Sequence, residues 1–433
     1  MKKRLTFILF IFTLFCCAKG NEFEEEIVQD MTPVIQTPFE LFYGEDQMCV
    51  QWTTPFAIQT TKSEESKLIW GWTDKSGYFG VGSFDESSKN TERIVIGKTC
   101  QTDMHNSPSV IELEDGRIGV VSCKGHDTYP KLWIYTSTTV GDVHKFDLAA
   151  EVSGFAGVTS YSQVFCINST YYIFTRTCSV GNIWKWQVIT STDFYNWSSP
   201  KDVVLSNGWQ YYVRFVKIEG ESDLLRMVMY SNPTYSDQTH IRLGYVNLTN
   251  GNIYSGKVND NSLIGNFKEG EATDFRSFNI VIEKEPSRNQ RLFDVACTDM
   301  NNVSIAFSRW TNAYDSKYYV YRNGEITQIC NGGEAYLHDR AQLGARMISK
   351  DHIAVARNAD GVDYMETYKI VNGRAVLMAV IDKVENGNNH NRINIPMQDE
   401  KSQYLFYAKG MFDINDYTVF NSDLVFTRLY DLE

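Results

Sequence analysis

The sequence lacks the features that mark several large classes of protein. It has 41 lysine and arginine residues against 53 aspartate and glutamate residues, which gives a net charge of −12. A general nucleic-acid-binding protein needs a basic surface, so this balance excludes that class. Only 9 of the 433 residues are proline and 43% are hydrophobic, which excludes a disordered chain. An anionic ligand would have to bind in a locally basic cleft.

A long hydrophobic run is missing beyond the first residues. The basic start Met1–Arg4 precedes the apolar run Leu5–Phe15, which at 11 residues is too short to span a bilayer. A basic start, a short apolar run and small residues after it are typical of a secretory signal. We expect a lipoprotein-type signal peptide over residues 1–17. The alternative interpretation is a buried N-terminal strand or helix.

The residues around the end of this run suggest a lipid anchor. The run Leu14–Cys17 resembles a bacterial lipobox, in which Cys16 or Cys17 would carry the lipid. Four glutamates within Glu22–Glu26 then suggest a solvated acidic tether over residues 18–35. We expect an exported protein, in the periplasm or at the cell surface, that contacts a membrane only through this anchor.

The remaining cysteines do not form a disulfide framework. They are odd in number, irregularly spaced and free of any CxxC pair. A chain of this length can bury a sufficient core without covalent staples, so we interpret them as small buried side chains. The seven are Cys49, Cys100, Cys123, Cys166, Cys178, Cys297 and Cys330.

Beyond about residue 30 the hydrophobic pattern has a period of two. Short alternating runs such as Thr170–Phe174 and Lys317–Tyr321 are separated by turn pairs such as Asp115–Gly116 and Asn323–Gly324. This pattern predicts strands joined by hairpins, and no stretch shows helical periodicity with caps. Aromatic residues, 14% of the chain, also favour strands. We predict an all-β chain.

Strands of about five residues repeated along such a chain would overfill one open sheet, which would curl or split. Radial repetition of four-stranded blades avoids this problem because it leaves only short edges. At about 45–60 residues per blade, the chain has room for six to eight blades. We predict a single β-propeller domain over residues 36–433.

One turn carries a sharper repeat signature. Ser191–Trp197 follows the apolar strand Trp186–Thr190 and resembles the Asp-box of sialidase-type propellers. In this interpretation Asp193 accepts hydrogen bonds from backbone N–H groups of the turn, and Trp197 packs beneath it. Such boxes usually lie away from the active face, so we expect a structural role.

Two histidines flank one predicted hairpin. His105 precedes its first strand, Asp115–Gly116 forms its turn, and His126 follows its second strand. Two strands of similar length joined by a tight turn bring their outer ends together. The two imidazoles should therefore converge at the edge opposite the turn. On the residues alone, a structural role for both remains an alternative.

This hairpin also carries a family resemblance. The segment DMHNSPSVIELEDGRIGVVSCKGHD, Asp103–Asp127, resembles the opening blade of the BNR-4-type propellers, which include seven-bladed ulvan lyases. The resemblance continues through TSYSQVFCINSTYYIFTR, YYVRFVK and IAFSRW, and reaches from about residue 100 to residue 330. It implies a seven-bladed propeller and a polysaccharide lyase. The implied partner is an acidic, ulvan-like or rhamnose–glucuronate glycan.

The resemblance assigns a role to five residues. Such a lyase removes the proton next to the carboxylate of a uronic acid, and Arg176 would neutralise that carboxylate. His105 and Tyr161 would be the general base and the general acid, in either order. His126 and Tyr212 would position the sugar and share the developing negative charge.

Three more residues near this set, Lys124, Arg214 and Asn106, are expected to contact the substrate. No metal ligand is assigned within the site and no cofactor is certain. Some lyases of the family hold a structural metal ion with histidine and cysteine, which leaves room for one here, although the spacing is not diagnostic. The candidate ligands are Cys297, Cys330, His240 and His338.

Two other functions stay open. One is a propeller glycoside hydrolase, either sialidase-like or cleaving rhamnose–glucuronate links. Such an enzyme would need paired carboxylates, and Asp103, Asp127 and Glu112 are near the expected face in sequence. A sialidase-like hydrolase would need three arginines. The third function is a non-catalytic glycan-binding lipoprotein. The arginines available for a triad are Arg176, Arg214, Arg309 and Arg357.

Overall fold

The computed structural model describes residues 39–429 apart from nine short segments. Those segments are 49–51, 64–65, 232–238, 257–261, 313–314, 334–343, 386–390, 402 and 413–417. The expected signal peptide and tether lie outside the described residues, as do Cys49 and His338.

The described residues form seven small sheets, one per blade, with no α-helix among them. Among the residues that the structure describes, two single-turn 3-10 helices occur, Met104–Asn106 and Phe275–Ser277. None of the helices in the described ranges is a candidate membrane span. The prediction of an all-β, seven-bladed β-propeller is confirmed.

The first described strand, β1 (Phe42–Gly44), belongs to the last blade, and the first two blades follow it along the chain. Blade 1 consists of β2 (Ala57–Gln59), β3 (Lys67–Thr73), β4 (Tyr78–Asp85) and β5 (Asn90–Lys98). Blade 2 consists of β6 (Ser109–Glu112), β7 (Ile118–Ser122), β8 (Leu132–Ser137) and β9 (Phe146–Val152).

Blades 3 and 4 carry extra strands. Blade 3 consists of β10 (Val158–Ile167), β11 (Thr170–Ser179), β12 (Ile183–Ser191) and β13 (Lys201–Asn207), to which β19 (Thr273–Asp274) adds in parallel. Blade 4 consists of β14 (Tyr211–Ile218), β15 (Glu221–Ser231), β16 (Ile241–Asn247), β17 (Asn252–Ser255) and β18 (Leu263–Asn266), with β20 (Asn279–Ile282) paired to β16.

The last three blades close the ring. Blade 5 consists of β21 (Asn289–Cys297), β22 (Val303–Trp310), β23 (Ser316–Arg322) and β24 (Glu325–Gly333). Blade 6 consists of β25 (Ala345–Met347), β26 (His352–Ala359), β27 (Val362–Val371) and β28 (Arg374–Glu385). Blade 7 consists of β29 (Asn391–Gln398), β30 (Tyr404–Phe412), β31 (Phe420–Arg428) and β1.

The circle is completed by pairing of distant parts of the chain. Strand β1 pairs antiparallel with β31, and Phe42 lies opposite Phe426. The blades then bury their apolar faces against one another, as when Phe174 of blade 3 stacks on Phe215 of blade 4 at 4.1 Å between ring centroids. A propeller closed in this way divides its strands among small sheets with short edges, so the described strands do not form one large open sheet.

The predicted turns are formed where the sequence placed them. Asn323 and Gly324 have φ angles of 48° and 100° and join β23 to β24, the left-handed pair that a two-residue hairpin needs. In the Asp-box, Asp193 Oδ1 accepts hydrogen bonds from the backbone N–H groups of Tyr195 (2.8 Å) and Asn196 (2.7 Å). The hairpin turn and the hydrogen bonds expected of Asp193 are therefore observed.

The strand directions define two faces of the propeller. The innermost strand of each blade begins at one face, here called the first face, and ends at the second face. The starts of β6, β10 and β14 and the ends of β7 and β11 therefore lie at the first face. The Asp-box, between β12 and β13, lies at the second face. The six described cysteines are free, and Cys100 among them is exposed.

Candidate active site

The 3-10 turn before β6 sets the position of His105. Asp103 is the N-cap of this turn, and its Oδ1 accepts a hydrogen bond from the backbone N–H of His105 at 2.8 Å. The same oxygen lies 2.6 Å from His105 Nδ1. Asp103 is completely buried, whereas 15% of the His105 side chain is exposed. A buried carboxylate thus fixes the imidazole from behind and leaves its other edge toward solvent.

The hairpin of β6 and β7 brings His126 to the same place. The His105 and His126 rings stack with 4.5 Å between centroids, and His126 Nδ1 lies 3.5 Å from Asp103 Oδ2. The convergence expected from the hairpin is therefore observed. One buried carboxylate faces both imidazoles.

Arg176, on β11, lies behind the histidines and is completely buried. Its Nη2 lies 3.1 and 3.2 Å from the two carboxylate oxygens of Asp127 and 3.2 Å from His126 Nε2. The hydroxyl of Ser160 binds the same carboxylate. The Nε and Nη1 atoms of Arg176 are buried without a hydrogen-bond partner. Asp127 is therefore the counter-ion of the site.

A β-bulge places the phenol of Tyr161 beside this arginine. In the pairing of β10 with β11, Ser160 lies opposite Arg176 and Ser162 opposite Thr175, so Tyr161 is the extra residue. Its φ angle of 57° is unusual for a bulky side chain. The Arg176 guanidinium lies 4.7 Å from the centre of the Tyr161 ring, and the His126 ring lies 5.5 Å from it. The bulge thus aims the phenol into the cluster.

Tyr212 closes one side of the cluster. Its ring lies 6.0 Å from that of Tyr161 and 5.2 Å from the Arg176 guanidinium. Behind it, Trp52 and Tyr230 stack on the ring at 4.9 and 5.5 Å. Trp52 comes from the segment before blade 1, far away in sequence, and no local motif pointed to it.

Burial decides the protonation states. Burial lowers the pKa of His105, and the charges of His126 and Arg176 act in the same direction, although Asp103 opposes them. Burial and the neighbouring Tyr212 raise the pKa of Tyr161 well above its usual value. At neutral pH the imidazole of His105 is neutral and the phenol of Tyr161 is protonated.

The two buried charges that remain are stabilised by their partners. Burial opposes ionisation of Asp103, but His105 and His126 hold its pKa well below the usual value. Burial likewise opposes the charge of Arg176, but Asp127 outweighs it and raises the arginine pKa. Asp103 is thus a carboxylate and Arg176 a guanidinium ion throughout the physiological range.

Three residues expected to contact substrate do not face the cluster. Lys124 extends over Trp133, with its Nζ 4.9 Å from the ring centre. The amide of Asn106 is buried and donates to the carbonyl of Gln101 at 3.1 Å. Arg214 lies deeper in the propeller, and its Nη2 is 3.4 Å from Asp294 Oδ1. The structure therefore brings together His105, His126, Tyr161, Arg176 and Tyr212, and not these three.

The residues considered for a hydrolase are dispersed or already engaged. Glu112 accepts a hydrogen bond from the backbone N–H of Lys62 at the far end of the hairpin. Arg309 and Arg357 lie in blades 5 and 6 and pair with Glu285 and Glu366. Arg176 and Arg214 are likewise paired, with Asp127 and Asp294, so each arginine considered for a triad has a carboxylate partner of its own.

The metal ligands considered from the sequence do not assemble in the described part of the chain. The donors there that lie close enough to share an ion are Asp103, His105 and His126, within 4.8 Å of one another. Two histidines and a carboxylate fit zinc by ligand type, but the Asp103–His105 contact is itself a short hydrogen bond. Cys297, Cys330 and His240 are not in such a group, and His338 lies outside the described residues.

The chain matches no protein-family model and no curated protein. Among solved structures, it is similar to an ulvan lyase of polysaccharide lyase family PL25, with 9% identity, a TM-score of 0.63, and coverage of 90% of this chain and 95% of that one. A PL25 ulvan lyase bound to a glucuronate–rhamnose-3-sulfate saccharide gives 10% identity, a TM-score of 0.60, and coverage of 89% and 94%. The polysaccharide lyase Uly1 gives 11% identity and a TM-score of 0.52, with coverage of 91% of this chain and 100% of that one. These likenesses establish the fold, and membership of the BNR-4-type family stays a prediction.

Proposed function

We propose that this protein is a polysaccharide lyase that cleaves an acidic, uronic-acid-containing glycan by β-elimination. The observation that carries the proposal is the convergence of a histidine, His105, and a tyrosine, Tyr161, beside one buried arginine, Arg176. The known proteins with this fold that the chain resembles include lyases, one of them bound to a glucuronate-containing saccharide. An ulvan-like or rhamnose–glucuronate chain is the proposed substrate class.

The position of the proton on the His105 ring supports one assignment of the base. Because Nδ1 of His105 donates to Asp103 at 2.6 Å, Nε2 is the nitrogen that has no proton in the neutral imidazole. A neutral imidazole in this tautomer can accept the proton next to the sugar carboxylate. We assign His105 as general base.

Tyr161 fits the complementary role. Because its pKa is raised, the phenol keeps its proton at neutral pH and can donate it to the oxygen of the leaving sugar. Proton removal by His105 and proton donation by Tyr161 balance the elimination: the C–O bond breaks, a C=C bond forms, and no water is consumed.

Arg176 acts from beneath the substrate in this proposal. Its side chain is completely buried and paired with Asp127, so it does not present at the surface the planar fork that the sequence resemblance assigns to the sugar carboxylate. The guanidinium contacts Tyr161 and His126, so these two side chains lie within the field of its positive charge. There it would stabilise the negative charge that develops on the sugar.

The deciding experiment uses the ultraviolet absorbance of the unsaturated uronate that only elimination produces. The purified protein is incubated with a panel of acidic polysaccharides, alongside a His105→Ala variant. A lyase gives an absorbance increase that the variant loses. New reducing ends without absorbance would identify a hydrolase instead, and binding without turnover a non-catalytic protein.

We also propose export and lipid anchoring, on the leader sequence alone. Labelling of cells with a radioactive fatty acid, comparing the wild-type chain with a variant in which both Cys16 and Cys17 are alanine, tests it. Loss of label in the variant is the expected result, and an unlabelled wild-type protein would contradict it.

A further inference from the structure

The junction of blades 3 and 4 at the first face holds aromatic residues to which the proposed reaction gives no role. Trp184 pairs with Cys178, two residues beyond Arg176 on β11, so Trp184 and Arg176 lie on the same side of the blade 3 sheet. Trp186, which pairs with Arg176, lies 5.7 Å from Phe215 of blade 4 between ring centroids. The side chains of this row therefore face blade 4.

The indole of Trp184 borders the candidate active site. Its ring centre lies 4.8 Å from the Arg176 guanidinium, and the Tyr161 ring lies 4.7 Å from the same group. Arg176 is completely buried, whereas Trp184 is half-buried. Trp184 thus exposes part of its surface directly beside the residues that are proposed to carry out the elimination.

A second tryptophan lies farther out along the same junction. Trp209 belongs to the connection between β13, the last antiparallel strand of blade 3, and β14, the innermost strand of blade 4. Because β13 ends at the first face, this connection crosses that face. The backbone N–H of Gly208 donates to the carbonyl of Asn182 at 3.0 Å, which fixes the connection to the hairpin that carries Trp184. Trp209 is half-buried as well.

A cation holds the ring of Trp209 in place. The Arg276 guanidinium lies 5.3 Å from the ring centre, and its Nε and Nη2 atoms each donate to a carboxylate oxygen of Asp274 at 2.9 Å. A contact of this kind is worth about 0.5–1 kcal/mol at an exposed site. The Arg276 side chain is itself 54% exposed. The indole is therefore oriented by the protein before any ligand binds.

The strand order gives the length of this arrangement. Arg176 lies on β11, Trp184 on β12 and Trp209 just beyond β13. Neighbouring strands are about 4.8 Å apart, so the two tryptophans extend the candidate site outward by about 10 Å. This length exceeds one sugar ring, so a ligand that contacts both tryptophans and the candidate site has more than one sugar residue.

Two half-exposed indoles in sequence suit a glycan chain. The C–H groups on one face of a pyranose ring form an apolar surface that stacks on an aromatic ring, while the sugar hydroxyl groups stay in water. At the outer end, the exposed guanidinium of Arg276 can donate hydrogen bonds to a carboxylate or sulfate group of the same chain. The chemistry of the junction thus matches a polymer that alternates ring faces with anionic groups.

We infer that Trp184 and Trp209 form a binding track for an acidic polysaccharide, which extends from the cleavage site along the junction of blades 3 and 4. The inference rests on the proposed function, because that function places the cleaved sugar at the inner end of the track. It adds the path of the chain across the first face. It also implies that long chains bind more tightly than short ones.

Binding of ulvan by a variant that lacks the general base tests the track separately from turnover. His105→Ala is combined either with Trp209→Ala or with Tyr195→Ala, which removes an exposed aromatic ring at the second face. Affinity is measured from the retardation of each protein in native gels that contain ulvan. We expect Trp209→Ala to weaken binding at least fivefold and Tyr195→Ala to leave it unchanged. Equal binding by the two double variants, or no binding of ulvan by His105→Ala itself, overturns the inference.

Kinetics on chains of different length give a second readout in the active protein. Trp209→Ala should raise KM for ulvan at least fivefold with little change in kcat, and should leave KM unchanged for the shortest oligosaccharide that is cleaved. Trp184→Phe retains a ring and should keep the affinity for ulvan that Trp184→Ala loses. Elimination with a wild-type KM for ulvan in Trp209→Ala contradicts the track and leaves the lyase proposal intact. Binding of ulvan that depends on Trp209 without elimination supports the track and overturns the lyase proposal.

Discussion

The rings of His105 and His126 are nearly parallel, at 23° and 4.5 Å between centroids, and both direct Nδ1 toward the carboxylate of Asp103. Two imidazolium ions so close together would repel one another, and a single carboxylate compensates only one of them. One imidazole of the pair should therefore be neutral, and because burial lowers the pKa of His105, that residue is in the state that a general base requires. This relationship, rather than either histidine alone, is the chemical centre of the site.

The pH profile of kcat/KM should be broad. Because the pKa of His105 is lowered, the neutral base persists as pH falls below the ordinary histidine value of about 6.5. Because the pKa of Tyr161 is raised, the protonated acid persists above the ordinary tyrosine value of about 10. Initial rates at low substrate concentration measure both limbs. A rate that keeps increasing with pH up to the tyrosine range would instead identify ionised Tyr161 as the base.

Asp103→Asn should impair catalysis and shift the acid limb. The carboxylate raises the pKa of His105, so its removal lowers that pKa further and moves the acid limb to lower pH. Loss of the fixed tautomer should reduce kcat by about 10²-fold or more. Asp147→Asn, at an exposed position of β9, is the matched control. If Asp103→Asn reduces the stability of the protein but leaves the pH profile of the rate unshifted, Asp103 is merely structural.

Tyr161→Phe should lose the general acid and retain the fold. We expect kcat to fall by about 10²–10⁴-fold, with KM little changed, because the ring still fills its place beside Arg176. Tyr78→Phe, at an exposed position of β4, should retain full activity. Turnover by Tyr161→Phe at the wild-type rate would remove Tyr161 from the mechanism.

Arg176→Met should destabilise the protein through Asp127. The substitution leaves the partly buried carboxylate without its counter-ion, which costs about 3 kcal/mol of unfolding free energy. Adding Asp127→Asn should recover most of this loss, since no charge is then left unpaired. Denaturant unfolding of the two single variants and the double variant measures the coupling. A double variant as unstable as Arg176→Met would show that the ion pair contributes little.

Features that depend only on residues close together in the chain could be predicted from the sequence. The turn at Asp115–Gly116 and the strands on either side were sufficient to place His105 and His126 together, since a hairpin fixes the register of its own two strands. The Asp-box was predicted for the same reason. The contacts of Asp103 with His105 are equally local, and the N-cap position two residues before the histidine could have indicated them.

Other features depended on neighbours distant in sequence. Lys124 is adjacent to His126 along the chain but extends over Trp133. Arg214 is two residues from Tyr212 on the same strand, yet it pairs with Asp294 of the next blade. Sequence proximity had suggested that both would contact the substrate.

The all-strand character, the hairpins and the meeting of the two histidines follow from the amino-acid sequence, because each depends on alternation and turn residues within one short segment. The circular closure, the stacking of Trp52 behind Tyr212 and the burial of Arg176 were decided only when the blades packed together. Burial is a property of the assembled blades, and it sets which groups hold or release a proton. Protonation at this site is therefore a consequence of tertiary structure.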